Sequence, residues 1–173
     1  SGYYAVYLIG SDDPRYSLDR IATTAQITAY DIGFYTGKDA GSGYSLGELD
    51  GTFSGMLSKA PQAINVSLFR PYLWEVRNPL MVLSALESFA LVGFTIFILF
   101  RSRGKLSALF LNPTIIFCLV FSLTFAFAVG VSTFNFGTLA RYKIPLLPFY
   151  VLALIYLNYS NNERKVEVLE TTE

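Results

Sequence analysis

Two cations, Arg141 and Lys143, stand in FNFGTLARYKIPLLPFY, residues 134–150, between two of the most apolar stretches of the chain. Cations at a hydrocarbon boundary have one specific chemical use. Arginine grips a phosphate or pyrophosphate bidentately and lysine holds it as a point charge, and both gain strength beside a low-dielectric layer. Arg70 and Arg77, in LFRPYLWEVRNP at residues 68–79, are candidates for the same grip, and Tyr72 and Trp74 between them are candidates for stacking on a sugar. The bland alternative for all four cations is snorkelling among lipid headgroups.

Glu87 raises a second kind of chemistry, because it interrupts an apolar run at SALES. A carboxylate near a membrane-helix centre costs roughly 2.5 to 3.5 kcal/mol on insertion scales, so it faces the bundle interior, is protonated or pairs with a cation. It is a candidate for substrate or proton handling. The plainer alternative is a polar contact between helices, with Ser84 and Ser88 flanking its face.

Other chemistry is excluded by composition. Histidine is absent and Cys118 is the single cysteine, which rules out an internal disulfide, His- or Cys-based metal centres, and Ser-His-Asp or Cys-His nucleophile systems within these residues. Any acid/base step must use carboxylates, Tyr, Lys or Arg, and no particular catalytic residue, metal or cofactor is assigned. Gly41, Gly43 and Gly47 in KDAGSGYSLGELDGTFSG have spacing that invites a nucleotide-loop reading. No Lys-Ser or Lys-Thr follows, so the segment reads as a plain loop. The few basic residues sit at membrane boundaries, so no nucleic-acid partner is expected.

The elements that position these residues are those of a membrane protein. Hydrophobic residues make up 53% of the 173, aromatic residues 16% and charged residues only 15%, with a mean hydropathy of +0.43. Three spans are expected, at 79–100, 106–132 and 144–159. The first covers about 33 Å and the third only about 24 Å, short enough to snorkel or to begin in a protein-lined recess. Arg101, Arg103 and Lys105 make the loop after the first span cytoplasmic by the positive-inside rule. Residues 1–78, with six cations and eight acids, then form an extracytoplasmic lobe, and residues 161–173 a poorly ordered cytoplasmic tail.

Within the lobe, Leu18, Ile21, Ala22, Ala25, Thr28, Ala29 and Ile32 recur at helical spacing, with Ser17 as N-cap and Gly37 as stop. TFSGMLSKAPQ reads as a short helix ended before Pro61. AINVSLF alternates as a short strand or an interfacial segment, and residues 68–79 as an aromatic and arginine collar in the headgroup layer. SGYYAVYLIG reads as a strand or the stub of a truncated membrane helix, and the chain as a fragment of a longer protein. The fold class expected is mainly α, polytopic, with a small mixed, loop-rich lobe.

In GSGYSLGELDGT, LFRPYLWEVRNPLMVLSALES and FNFGTLARYKIPLLPF the chain resembles the C-terminal part of uncharacterised, Bacteroidetes-type multi-pass membrane proteins from cell-surface polysaccharide loci. More remotely, Arg141-Tyr142-Lys143-Ile144-Pro145 followed by Leu147-Pro148 is similar to the ending of membrane glycosyltransferases that use polyprenyl-phosphate sugars. The resemblance implies an inner-membrane protein that handles lipid-linked glycans. If it is an enzyme, it is a glycosyltransferase-like transferase with part of its site outside these residues. Two other readings stay open. One is a transporter or flippase domain, on Glu87 and the proline-interrupted third span. The other is a non-catalytic assembly subunit whose lobe docks a membrane-protein partner.

Overall fold

The computed structural model describes residues 18–35, 42–102 and 112–170. Ser1–Gly10, the Ser17 cap, the Gly37 stop, Gly41, and Arg103 and Lys105 lie outside the described residues. Helix α1 spans Leu18–Tyr35, α2 Phe53–Ser58, α3 Ala60–Phe69, α4 Pro79–Arg101, α5 Pro113–Thr133, α6 Phe136–Tyr142 and α7 Leu146–Glu170, with a 3-10 turn at Leu73–Glu75. Among the described residues there is no strand, only an isolated bridge between Gly43 and Asn135. The part of the lobe that is described is helical rather than mixed.

The two long apolar helices begin alike. Asn78 accepts from the Met81 N–H at 2.9 Å and Asn112 from the Thr114 N–H at 2.9 Å, with Pro79 and Pro113 in the first turn, where the missing N–H costs nothing. At 23 and 21 residues they extend about 34 and 31 Å, and both are long and apolar enough to cross a membrane. The segment expected as a third span, 144–159, falls in a bent pair, α6 followed by α7, with 64° between them, the form of a broken span or a re-entrant loop. The break falls at Lys143, Ile144 and Pro145, where proline cannot donate to the helix ladder. Beyond Tyr159 the backbone of α7 continues to Glu170, where a poorly ordered tail was expected. Past Pro148 in its first turn no Gly or Pro interrupts it, and extending an existing helix is far cheaper than nucleating one.

AINVSLF is not a strand. It forms α3, and Pro61, expected to end the preceding helix, instead occupies the first turn of this one. The deciding force is packing against α5. Ala63 and Ser67 on α3 meet Ala126 and Gly130 on α5, all four buried and each pair spaced by four. The Ser67 hydroxyl donates to the Ala126 carbonyl at 2.7 Å. A Cβ on Gly130 would fall 2.9 Å from the Ala63 Cα and nearer still to its carbonyl, so the backbones touch. This is the small-residue crossing by which helices associate in lipid.

Depth follows from these contacts. Ala126 lies about 10 Å from the end of α5, and Ser88, whose hydroxyl donates to the Arg70 carbonyl at 3.0 Å, lies about 13 Å from the start of α4. Val82, Leu83, Leu86 and Phe89 expose apolar side chains over this stretch of α4, as a lipid-facing surface does. So α3 packs between α4 and α5, and residues 70–78 run from the level of Ser88 on α4 back to Asn78 at its start.

The loop before α2 fastens this arrangement. The Tyr44 N–H donates to the Phe134 carbonyl at 3.1 Å, and the Phe136 N–H to the Ser42 carbonyl at 2.8 Å. Buried Phe134 takes φ 45°, a left-handed conformation rare for a bulky residue, held by these bonds. The Tyr44 hydroxyl donates to the Gly130 carbonyl at 2.9 Å and lies 2.7 Å from Thr133 Oγ1. Tyr44→Phe is expected to cost about 1 to 3 kcal/mol, since buried acceptors lose their partner. A chemical or thermal melt in micelles that overlays wild type would contradict this.

Along α1 the buried face is Ala22 and Ala25, with Ala29 packed beside them, whereas Ile21, expected in the apolar stripe, is exposed. The Gln26 amide donates to the Leu49 carbonyl at 2.6 Å and ties α1 to the loop. Lobe and spans share one core here, in which Met56 and Val66 pack with Met81, Val129 and Leu139.

Candidate functional site

Lys143 closes α6 in helical conformation, about 12 Å along the axis from Asn135, and its side chain turns into the bundle, 1% exposed. Its Nζ lies 3.2 Å from Glu87 Oε1 and donates to Ser88 Oγ at 3.4 Å. Ser88 is fully buried, and its hydroxyl donates a hydrogen bond to the Arg70 carbonyl. Arg70 in turn donates its Nε to Glu75 Oε2 at 3.0 Å and its Nη2 to Glu75 Oε1, a bidentate pair, while the Tyr72 N–H donates to Glu75 Oε2 at 2.9 Å. The Arg70 guanidinium also sits 5.3 Å from the Phe136 ring centre and 5.9 Å from that of Tyr72. One polar chain thus runs from the collar to the middle of the bundle.

The four cations named from the sequence therefore separate into two kinds. Arg70 and Lys143 are committed to carboxylates, whereas Arg77 and Arg141 are exposed with no carboxylate partner among the described residues. Tyr72 and Trp74 stack on each other, ring centres 4.7 Å apart, and Trp74 remains 81% exposed. Ser84 is half-buried on the Glu87 side of α4.

Glu87 is 44% exposed, and what it opens onto is apolar. A groove of about 300 Å³ runs from Glu87 between α4 and α7 along Ala90, Leu91, Phe94, Leu147 and Val151. Farther along the same pair of helices, Tyr150 meets Thr95 at 3.2 Å and Arg101 Nε donates to Asn158 at 2.9 Å. A larger recess of about 760 Å³ is lined by α5 alone, from Pro113 to Ala128. It holds no ionisable group and is lined almost wholly by apolar side chains. Among the described residues no cluster of three or more His, Cys, Asp or Glu could hold a metal ion.

The collar pair makes a pH-dependent prediction. Burial alone would raise the Glu75 carboxyl, but the Arg70 hydrogen bond and charge, with the Tyr72 N–H, outweigh it and hold the group below its ordinary value. A depressed carboxylate contributes its stability in full above the unfolded pKa of about 4.3 and loses it as the pH falls through the folded value. Fluorescence of Trp74, the only tryptophan, is expected to stay constant from pH 8 to about 5 and to change below about 4. Glu75→Gln should remove that transition, and a transition that persists in the variant would assign it elsewhere.

The sequence reading missed the seam between α3 and α5, although its signal is there: Ala63-x-x-x-Ser67 facing Ser122-x-x-x-Ala126-x-x-x-Gly130. It also missed Lys59, Gln62 and Asn65, which line a second, polar cavity with Arg70. Comparison of the chain with known protein families, with curated proteins and with solved structures finds no match in any of the three.

Proposed function

We propose that the chain is an inner-membrane component of envelope polysaccharide biosynthesis that binds a lipid-linked glycan at the outer face of the bilayer. The observation that carries this reading is the apolar groove opening from the Glu87–Lys143 pair, since an isoprenoid tail needs a lateral slot that ends at a polar level. In this reading Arg77 and Arg141 receive the phosphate, and Arg70 and Lys143, each already neutralised, position the surrounding backbone. Orientation follows from Arg101, Arg103 and Lys105 at the far end of α4, which by the positive-inside rule put that end in the cytoplasm, the lobe outside and the end of α7 inside. Glu75 and Glu87 are both bound to cations, so a transferase of this kind would draw its acid or base from elsewhere in the protein.

The test is photolabelling in nanodiscs with a photoreactive polyprenyl-phosphate sugar. Crosslinks are expected at Phe94, Leu147 or Val151, and Ala90→Trp, which fills the groove, should cut labelling about tenfold. Equal labelling of wild type and Ala90→Trp would sink the reading. A second reading, a transporter or flippase, is favoured by the 64° break with a charged pair beside it, because broken helices and buried carboxylates mark translocation paths. It requires Glu87→Gln to abolish flux of the lipid-linked sugar across proteoliposomes under a pH gradient; unchanged flux removes it.

A further inference from the structure

Helix α3 has a polar side that its packing between α4 and α5 does not need. Gln62 and Asn65 on that side, with Lys59 just before the helix, line a cavity of about 310 Å³ together with Ser45, Gly47 and Arg70. That volume is at the lower end of small-molecule sites, the size of a monosaccharide. No acidic side chain lines it.

Three observations mark the cavity as prepared for an anion. Lys59 has no ion-pair partner among the described residues. Asp50 is outside the cavity wall and already accepts from the Thr52 N–H at 2.9 Å and the Thr52 hydroxyl at 2.8 Å. Gly47 has φ +80°, and a Cβ there would come within 3.2 Å of Lys59 Nζ, so glycine leaves the ammonium room. The far wall is held in place: Asn65 Nδ2 donates to the Tyr72 hydroxyl at 3.2 Å, and Arg70 is fixed by Glu75.

We infer that this cavity binds a hydroxyl-rich anion of monosaccharide size, a sugar acid or a sugar phosphate. Lys59 takes the anionic group, and Ser45, Gln62 and Asn65, which can each donate and accept, take the hydroxyls. The inference goes beyond the proposed function, and rests on that reading only for the choice of a sugar. Trp74 gives the readout, since it stacks on Tyr72, whose hydroxyl is bonded to Asn65.

The experiment titrates the full chain in detergent with glucuronate, glucose 1-phosphate, glucose and inorganic phosphate, following Trp74 fluorescence and confirming by calorimetry. Glucuronate and glucose 1-phosphate are expected to bind saturably. Lys59→Gln should weaken both about tenfold or more, and Gln62→Ala about threefold, with melting curves unchanged. Absence of saturable binding, equal binding by Lys59→Gln, or inorganic phosphate binding as tightly as the sugar phosphate would each overturn the inference. Groove photolabelling without sugar-anion binding defeats this inference alone, whereas binding without photolabelling defeats the lipid reading alone. Displacement of glucose 1-phosphate by the lipid-linked sugar identifies the bound group as the lipid's own head; without displacement it is the free sugar.

Discussion

Lys143→Met is expected to destabilise the protein by about 1 to 3 kcal/mol, less than the loss of a fully buried pair because the charge left behind, on Glu87, is 44% exposed. The variant leaves the Glu87 carboxylate facing the apolar walls of Leu91, Phe94 and Leu147, and strips Ser88 of a donor. Glu87→Gln should be worse. Lys143 is 1% exposed against 44% for Glu87, so the cation left behind has less access to any polar surroundings than the carboxylate would. Lys143→Met combined with Glu87→Leu should recover most of the loss, because a well-packed apolar pair can match a buried salt bridge. Unfolding by SDS titration in mixed micelles measures all three. Single variants as stable as wild type would show that the pair contributes nothing, and failure of the double variant to recover would show that the polar contacts to Ser88 matter more than the charges.

Gly130→Leu should give the other large effect. Its side chain would enter the space held by the Ala63 backbone, where neither partner can turn aside, so folded, monodisperse protein is not expected. Gly130→Ala is the graded version, with a cost of about 1 to 3 kcal/mol. The same substitutions at Gly93, which has nothing within 4 Å of an added Cβ, should be tolerated. Size-exclusion profiles of the matched pairs decide the matter. A normal profile for Gly130→Leu would mean that α3 does not seat against α5.

What could be read from residue order was the membrane itself. The two long spans begin at their Asn-Pro pairs because a run of apolar residues longer than a bilayer has few alternatives. The assignment failed where tertiary packing overruled a local pattern. Ile64, Val66 and Leu68 alternate as in a strand, yet α3 forms because Ala63 and Ser67 at helical spacing find small partners on α5. Arg141 and Lys143 look equivalent in the sequence, two residues apart. Two residues apart on α6 they point to nearly opposite faces, one outward and the other into contact with a carboxylate 56 residues earlier. The charge pair was half legible: Glu87 demanded a partner, but nothing local could say which cation would arrive.

The seam between α3 and α5 also fixes an order of events during synthesis. Ser67 and its acceptor Ala126 are 59 residues apart, so α3 emerges from the ribosome before the surface it fits exists. At 5 to 20 residues per second the wait is about 3 to 12 s. Through that interval α3 carries Lys59, Gln62 and Asn65 on one side and apolar residues on the other, a composition that holds it at the water interface rather than in the lipid. Docking of this helix is thus a late step, gated by synthesis of α5, and the Glu87–Lys143 pair closes later still, when Lys143 is made.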